Sequence, residues 1–391
     1  MAEQSAQTRY DRVALVGAFV ALAGVTVLPF VELRPNRLVP GNAYSVAAAG
    51  PWAYLLWLLV AVGFLSAVAP TARARAASST ASGYGLVIAL AWGLGAASTA
   101  LLVDQTAVAR VSLGSGVWVL LAGTAILGFS GGEERRRKLL RWAGPLVLVA
   151  GAVIAAFVWG GLDRISLARE FSVRASSFWS LLGGHLAMSG AGLGFGLLLG
   201  VPLGLWATRN RHVRAVTLGV TGVIQTVPSL ALLGLLIAPL AALGVAVPLL
   251  RDLGVRGIGA APGLIALTLY ALLPIVRNTY VGLAEVEPAV IDAGRGMGMS
   301  SWQLLWRVEF PLALPLIVEG VRTAAVLLIG ITTLTVFAGA RNLGILIFEG
   351  LGQFAPDLIL LGALPVIALA VIADVALSAL GRAFTPEGVR A

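Results

Sequence analysis

Two charges stand where charges are rare: Glu319 and Arg322 lie three residues apart inside the apolar run 312–337. An ionised side chain at mid-bilayer costs about 2.5–3.5 kcal/mol on insertion scales, so each needs a partner or water. At i and i+3 they share a helix face and can neutralise each other, a spacing that serves a structural brace and a gate contact alike. Ion coupling would need further mid-membrane carboxylates or unwound helices, and Glu319 is the single candidate. Catalysis within the membrane would need a nucleophile–base pair or a metal set. The chain has no cysteine, and its two histidines, His185 and His212, stand without neighbouring ligand spacing, so no metal site is expected. No Gly-x4-Gly-Lys-Ser/Thr phosphate loop occurs, so any ATP hydrolysis belongs to another polypeptide.

Two proline-centred stretches could line a path. In Gln225-Thr226-Val227-Pro228-Ser229, Pro228 removes a backbone hydrogen bond and kinks the helix, and the freed carbonyl needs a partner such as a hydroxyl or a lined cavity. Gln225 and Ser229 then face protein or a pathway, although small polar residues and prolines are also packing devices in membrane bundles. Tyr270 to Tyr280 offers a second kink at Pro274, with Asn278 beyond it and Arg277 placed to snorkel to the interface.

A moderately polar insert between apolar runs is Pro288 to Pro311, PAVIDAGRGMGMSSWQLLWRVEFP. Pro288 suits a first helical position, and Val290, Ala293, Met297, Ser301, Leu304, Leu305 and Val308 recur at helical spacing. Gly294, Gly296 and Gly298 interrupt the pattern, and Ser300 with Gln303 forms a capping box that restarts a helix running into Pro311. The stretch reads as a short, exposed, glycine-hinged helical elbow.

These parts need elements to hold them, and composition supplies the class. Of 391 residues, 59% are hydrophobic and 12% charged, with mean hydropathy +0.94; soluble domains average about 45–50% apolar and about 25% charged. The chain is therefore expected to be an all-α integral membrane protein. Its pI near 10.9 comes from scattered charges with no basic domain, so nucleic acid is not an expected partner and membrane lipid is. Ten spans of about twenty residues are expected, near 13–31, 52–69, 84–103, 113–130, 142–161, 186–206, 214–238, 260–282, 312–337 and 358–380. The first is followed directly by Pro29-Phe30-Val31-Glu32 with no small-residue cleavage site, so it is expected to be retained. With the N-terminus inside, seventeen basic residues fall inside and nine outside, and the densest cluster, Glu133–Arg141, falls inside. The positive-inside rule then puts both termini and the elbow in the cytoplasm.

The elbow also resembles the EAA loop of permease subunits of ABC importers, whose pattern is Glu-Ala-Ala, three residues, Gly, nine residues, Ile-x-Leu-Pro. Here stand Asp292-Ala293-Gly294, Gly298 and Val308-Glu309-Phe310-Pro311, matching in spacing, with Asp for Glu, Gly for the second Ala, Val for Ile and Phe for Leu. The resemblance implies that Asp292 to Ser300, with Trp302 and Pro311, contact an ATPase: Asp292, Ala293, Gly294, Arg295, Gly296, Met297, Gly298, Met299 and Ser300. Taken with Arg295–Met299, Leu312-Ala313-Leu314-Pro315 and the two proline stretches, residues 175–385 are similar to permeases of the glycine betaine, choline and carnitine branch. The resemblance implies a type I importer permease core at 186–391, joined through an amphipathic connector at 163–185 to an N-terminal extension of about five helices at 1–162. It also implies no cofactor in this chain, since ATP and Mg would be bound by two copies of a cytoplasmic ATPase, together with an extracytoplasmic substrate-binding protein docking on the loop 338–348 and a second permease core, identical or paralogous. The prokaryotic cytoplasmic membrane is the implied location. Gln225, Pro228, Ser229, Tyr270, Pro274, Asn278, Glu319 and Arg322 would line or gate the path. An ion-coupled transporter of a small polar solute and an importer of another small amine are the alternative readings.

Overall fold

The computed structural model describes residues 10–36, 39–129 and 143–384. The Glu133–Arg141 cluster lies outside the described residues, as do Arg9, Arg37 and Arg390. Two compact units emerge, the first up to Val173 together with Gln353–Asp357, the second from Arg174 to Gly352 and from Leu358 onward.

The first unit contains α1 (Arg12–Thr26), α2 (Pro51–Ala67), α3 (Ala72–Leu101), α4 (Ser115–Phe129), α5 (Ala143–Val158) and the opening turns of α6 (Ser166–Arg209). Membrane helices gain little from the hydrophobic effect against one another, so close backbone approach over small residues does the packing. On α1, the buried Ala14, Gly17, Ala18, Ala21, Gly24 and Val25 form such a stripe. A Cβ on Gly17 would come 2.7 Å from the Leu127 nitrogen, and one on Gly24 would come 2.6 Å from that of Leu120, so α4 lies directly on this stripe. The helical expectation did not include the small antiparallel sheet where α1 leads to α2 and α3 to α4. It comprises β1 (Val31–Arg34), β2 (Asn42–Tyr44) and β3 (Arg110–Leu113) in the order β2-β1-β3, with Val31 opposite both Tyr44 and Leu113.

The second unit continues α6 and adds α7 (Arg211–Thr226), α8 (Ser229–Ala246), α9 (Pro248–Asp252), α10 (Ala260–Ala284), α11 (Pro288–Gly296), α12 (Ser301–Leu304), α13 (Phe310–Thr332), α14 (Gly344–Gly352) and α15 (Pro356–Phe384). Its centre is the pair α10 and α13, with Leu267, Tyr270, Ala271, Ile275, Ala324 and Leu328 buried between them and their neighbours. A glycine ladder on α6 docks against α10 in step: Gly192, Gly196, Gly200 and Gly204 face Leu267, Ala271, Ile275 and Thr279, and an added Cβ would come within 2.5 to 2.8 Å of each. The two rows share a spacing of four residues, the repeat that keeps side chains on one helix face.

Six helices among the described residues are long and apolar enough to cross a bilayer, and Arg12–Thr26, Pro51–Ala67 and Ser115–Gly128 are shorter apolar helices. The expected seventh span, 214–238, is corrected: the chain breaks at Val227–Pro228, and the apolar helix of spanning length is Ser229–Ala246. The expected first span, 13–31, ends early because Val31 enters the sheet. The stretch 163–185 holds a short 3-10 turn, Leu162–Arg164, and then the first half of the same helix that carries residues 186–206.

Candidate functional site

The elbow is built from local hydrogen bonds. Pro288 opens α11 in its first turn, where a missing N–H costs nothing. At the other end, the Gly298 N–H donates to the Arg295 carbonyl at 2.9 Å and the Met299 N–H to the Gly294 carbonyl at 3.2 Å. This pair of bonds is a Schellman motif, and it needs a left-handed residue at Gly298, whose φ is +77°. Ser300 then caps the next helix: its hydroxyl accepts from the Gln303 N–H at 3.3 Å, while the Gln303 side chain accepts from the Ser300 N–H at 2.9 Å. Of the three glycines expected to interrupt the helix, only Gly298 does so. Gly294 is buried inside α11, where a Cβ would come 2.6 Å from Leu304 Cδ1, and Gly296 is the last helical residue. Gly294 thus sets how closely the two arms of the elbow approach.

The second arm runs into Pro311, as the sequence suggested, and on into α13 through a π turn at Leu305–Glu309. The proline ring would clash with the carbonyl four residues back and offers it no N–H. The wider turn, in which the Phe310 N–H donates to the Leu305 carbonyl, carries the helix past that point. The same turn buries Glu309, whose carboxylate accepts from Arg209 at the end of α6 at 2.5 Å. Along the outer side, Trp302, Trp306 and Phe310 form an aromatic ladder with ring centroids 5.5 and 4.9 Å apart. Trp302 is 68% and Met297 71% exposed, so the elbow presents large apolar groups to its surroundings. Asp292, Ala293, Arg295 and Ser300 are exposed beside them, and the Arg295–Asp292 contact at 3.5 Å is loose.

The eight residues expected to line a path fall into three groups. At the α7–α8 break, the Tyr270 hydroxyl donates to the Val227 carbonyl at 2.6 Å and the Gln225 amide donates to the Tyr270 carbonyl at 3.1 Å. Pro228 and Ser229 sit in that break, so Tyr270 supplies the partner that the interrupted backbone requires. On α10, the Asn278 amide donates to the Pro274 carbonyl at 2.8 Å, and this region faces Gly320 of α13, where a Cβ would come 2.7 Å from both Asn278 Cβ and the Pro274 oxygen. Glu319 and Arg322 form their expected pair at 3.1 Å, and Asp374 of α15 joins them, accepting from Arg322 Nε at 2.6 Å.

Sequence reasoning missed Arg209, Glu309, Trp306, Phe310 and Asp374. Trp302, Trp306 and Phe310 recur at four-residue spacing, which was a readable signal for one helical face. For Arg209–Glu309 and Arg322–Asp374 the partners lie 100 and 52 residues apart, and spacing carries no trace of them.

Residues 200–386 match the model of the binding-protein-dependent transport system inner membrane component, and residues 11–168 match the N-terminal domain of the ABC transporter permease YehY. The carnitine transport permease protein OpuCB of Listeria monocytogenes is 42% identical over 206 residues, 53% of this chain and 87% of that protein. The glycine betaine/carnitine/choline transport system permease protein OpuCB of Bacillus subtilis is 39% identical, covering 53% of this chain and 88% of its own length. The osmoprotectant import permease protein OsmW of Salmonella typhimurium is 39% identical, over 53% of this chain and 91% of its own length. A methionine ABC transporter solved in inward-facing conformations is similar at TM-score 0.45 and 24% identity, over 55% of this chain and 98% of that one. With the three permeases of Listeria, Bacillus and Salmonella matched over 87–91% of their length, the chain belongs to the family of inner-membrane permease subunits of binding-protein-dependent ABC transporters, among members named for osmoprotectant import.

Proposed function

We propose that this permease subunit serves ATP-driven import of quaternary-amine osmoprotectants such as glycine betaine, choline or carnitine. The observation that carries the ATP-driven part of the reading is the elbow, while the solute class follows the relatives named for carnitine, glycine betaine and choline transport. The elbow is a solvent-exposed helix–turn–helix with exposed Met297 and Trp302, continuous with α13 and tied by Glu309 to α6. Aromatic and methionine side chains are enriched where interfaces bind tightly. A push on Asp292–Trp302 would therefore reach the core as a lever through one continuous helix and one ion pair, with Pro311 inside the lever. In this reading the elbow and both termini are cytoplasmic, as the distribution of basic residues favours. Two copies of an ATPase seat on the elbows of two permease cores, identical or paralogous, and an extracytoplasmic binding protein delivers solute at the far side. Residues 186–391 form the core, with 163–185 as its connector and 1–162 as an extension. Gln225, Pro228, Ser229, Tyr270, Pro274, Asn278, Glu319 and Arg322 line or brace the path.

The test is glycine betaine uptake into vesicles holding the permease, its ATPase and its binding protein. Gly298→Asp, and separately an ATPase unable to hydrolyse ATP, should each reduce uptake at least tenfold. Uptake that survives both changes would sink the importer reading.

A further inference from the structure

A cluster of arginines in the first unit shares no residue with the elbow or the path. Val111 of β3 bridges Ile165, the residue just before α6, so the start of α6 lies against the sheet. Arg110 of β3 and Arg169 of α6 then line one open pocket of about 490 Å³, together with Asn36, Ser172, Val108 and Val173. That size is usual for a small-ligand site. Both guanidinium groups are fixed by one N–H each: Arg110 Nη1 donates to the buried carboxylate of Glu170, and Arg169 Nη1 donates to the Ala109 carbonyl at 2.8 Å. Ser172 Oγ donates to the Arg169 carbonyl at 2.8 Å, which leaves the two arginines as the charged donors of the pocket.

The charges around this pocket do not balance. Arg34 stands directly opposite Arg110 in the ladder of β1 and β3, where like charges repel. Glu32 pairs with Arg34 at 2.8 Å and Glu170 with Arg110, whereas the half-buried Arg169 meets no carboxylate among the described residues. A partly desolvated charge without a counter-charge favours an anion in the space beside it. Two guanidinium forks on one pocket match the oxygens of a phosphate. Val108 and Val173, 61% and 79% exposed, add apolar surface to the same pocket, which a bare inorganic anion or a small carboxylate would leave uncovered. In a membrane chain, a phospholipid is the molecule that joins a phosphate to apolar chains. Among the described residues no carboxylate lines the pocket, so a headgroup ammonium would face arginines without a partner. We propose that this pocket binds the phosphodiester of an anionic phospholipid, with phosphatidylglycerol preferred over phosphatidylethanolamine. A soluble glycerol phosphodiester shares the headgroup chemistry. The site rests on the first unit alone and does not depend on the transport reading.

The experiment titrates phosphatidylglycerol and phosphatidylethanolamine of matched acyl chains into the full chain in detergent, with bound lipid counted by native mass spectrometry. Phosphatidylglycerol is expected to bind about tenfold more tightly, the worth of one charge-assisted contact. Arg169→Gln should bring the two lipids to parity, and Arg169→Lys, which keeps the charge and loses the fork, should restore part of the preference. Val173→Asp sets a negative charge beside the arginines at an exposed position, so it should weaken phosphatidylglycerol binding without disturbing the fold. Equal affinity for the two lipids in the unmodified chain overturns the proposal, as does phosphatidylglycerol binding that neither Arg169→Gln nor Val173→Asp changes. Soluble glycerophosphoglycerol separates the sources: if it displaces the lipid at equal concentration, the lipid assignment falls, and if the lipid stays bound, the assignment stands.

Discussion

The elbow at 288–311 and the break at 225–229 both interrupt a helix with a glycine or a proline, yet they close their orphan backbone groups in opposite ways. In the elbow, each bond that ends one helix or starts the next is made within six residues: Gly298 to Arg295, Met299 to Gly294, Ser300 with Gln303. At the break, the Val227 carbonyl is met by the hydroxyl of Tyr270, 43 residues on, and Gln225 reaches across to the same residue's carbonyl. The first device keeps its shape wherever it is carried; the second exists only while α7, α8 and α10 are packed. That suits an exposed part that must survive being pushed and a packed part that can rearrange with its neighbours.

The largest expected effect probes where the self-contained part is fastened to the packed one. Arg209→Met leaves the Glu309 carboxylate, 5% exposed, without its partner. Removing one member of a buried pair costs about 3–5 kcal/mol, and here the low end applies because Arg209 itself is half exposed. Thermal unfolding in detergent should show that loss, and the double change Arg209→Met with Glu309→Met should recover most of it. A single variant as stable as the parent would mean that the elbow is not anchored through this pair.

Next in size is Tyr270→Phe, which keeps the ring in the core and leaves the Val227 carbonyl unpaired. An unsatisfied acceptor costs about 1–3 kcal/mol when fully buried, and the part-buried Val227 carbonyl sits at the lower figure. Amide hydrogen exchange should rise across residues 222–232 while residues 288–304 stay as they were. Faster exchange in the elbow would erase the distinction between the two devices.

The same difference decides what could be read from the chain. Pro288, Gly298, and Ser300 with Gln303 announce the elbow because their partners are a few residues away, and the spacing from Asp292 to Pro311 carried the family resemblance with it. The glycine ladder from Gly192 to Gly204 was equally open to reading as a packing face, since its repeat of four is written in the chain. The end of α7 was not, because Pro228 is compatible with a kink or a full break, and Tyr270, which settles it, is remote. Nor was the sheet legible: strands of three and four residues carry too little alternation to separate from helix ends, and β3 pairs with β1 from nearly eighty residues away. The π turn escaped for a different reason, since Pro311 announces a problem in the helix without saying which side absorbs it.

The smallest expected effect tests the local device itself. Ser300→Ala removes the hydroxyl that accepts from the Gln303 N–H, so one helix-start donor loses its acceptor, while the backbone N–H of residue 300 keeps the Gln303 side chain as its partner. Loss of such a cap costs about 0.5–2 kcal/mol, and an exposed site lets water take up part of the demand, which favours about 1 kcal/mol. Exchange should quicken only from about Met299 to Leu304, with residues 222–232 and the α10–α13 core unchanged. Ser300→Asp, whose carboxylate caps as well, should restore the parent's protection. If Ser300→Ala instead loosened the distant break, or if Asp failed to rescue, the elbow would not be the self-supporting lever that its bonding pattern describes.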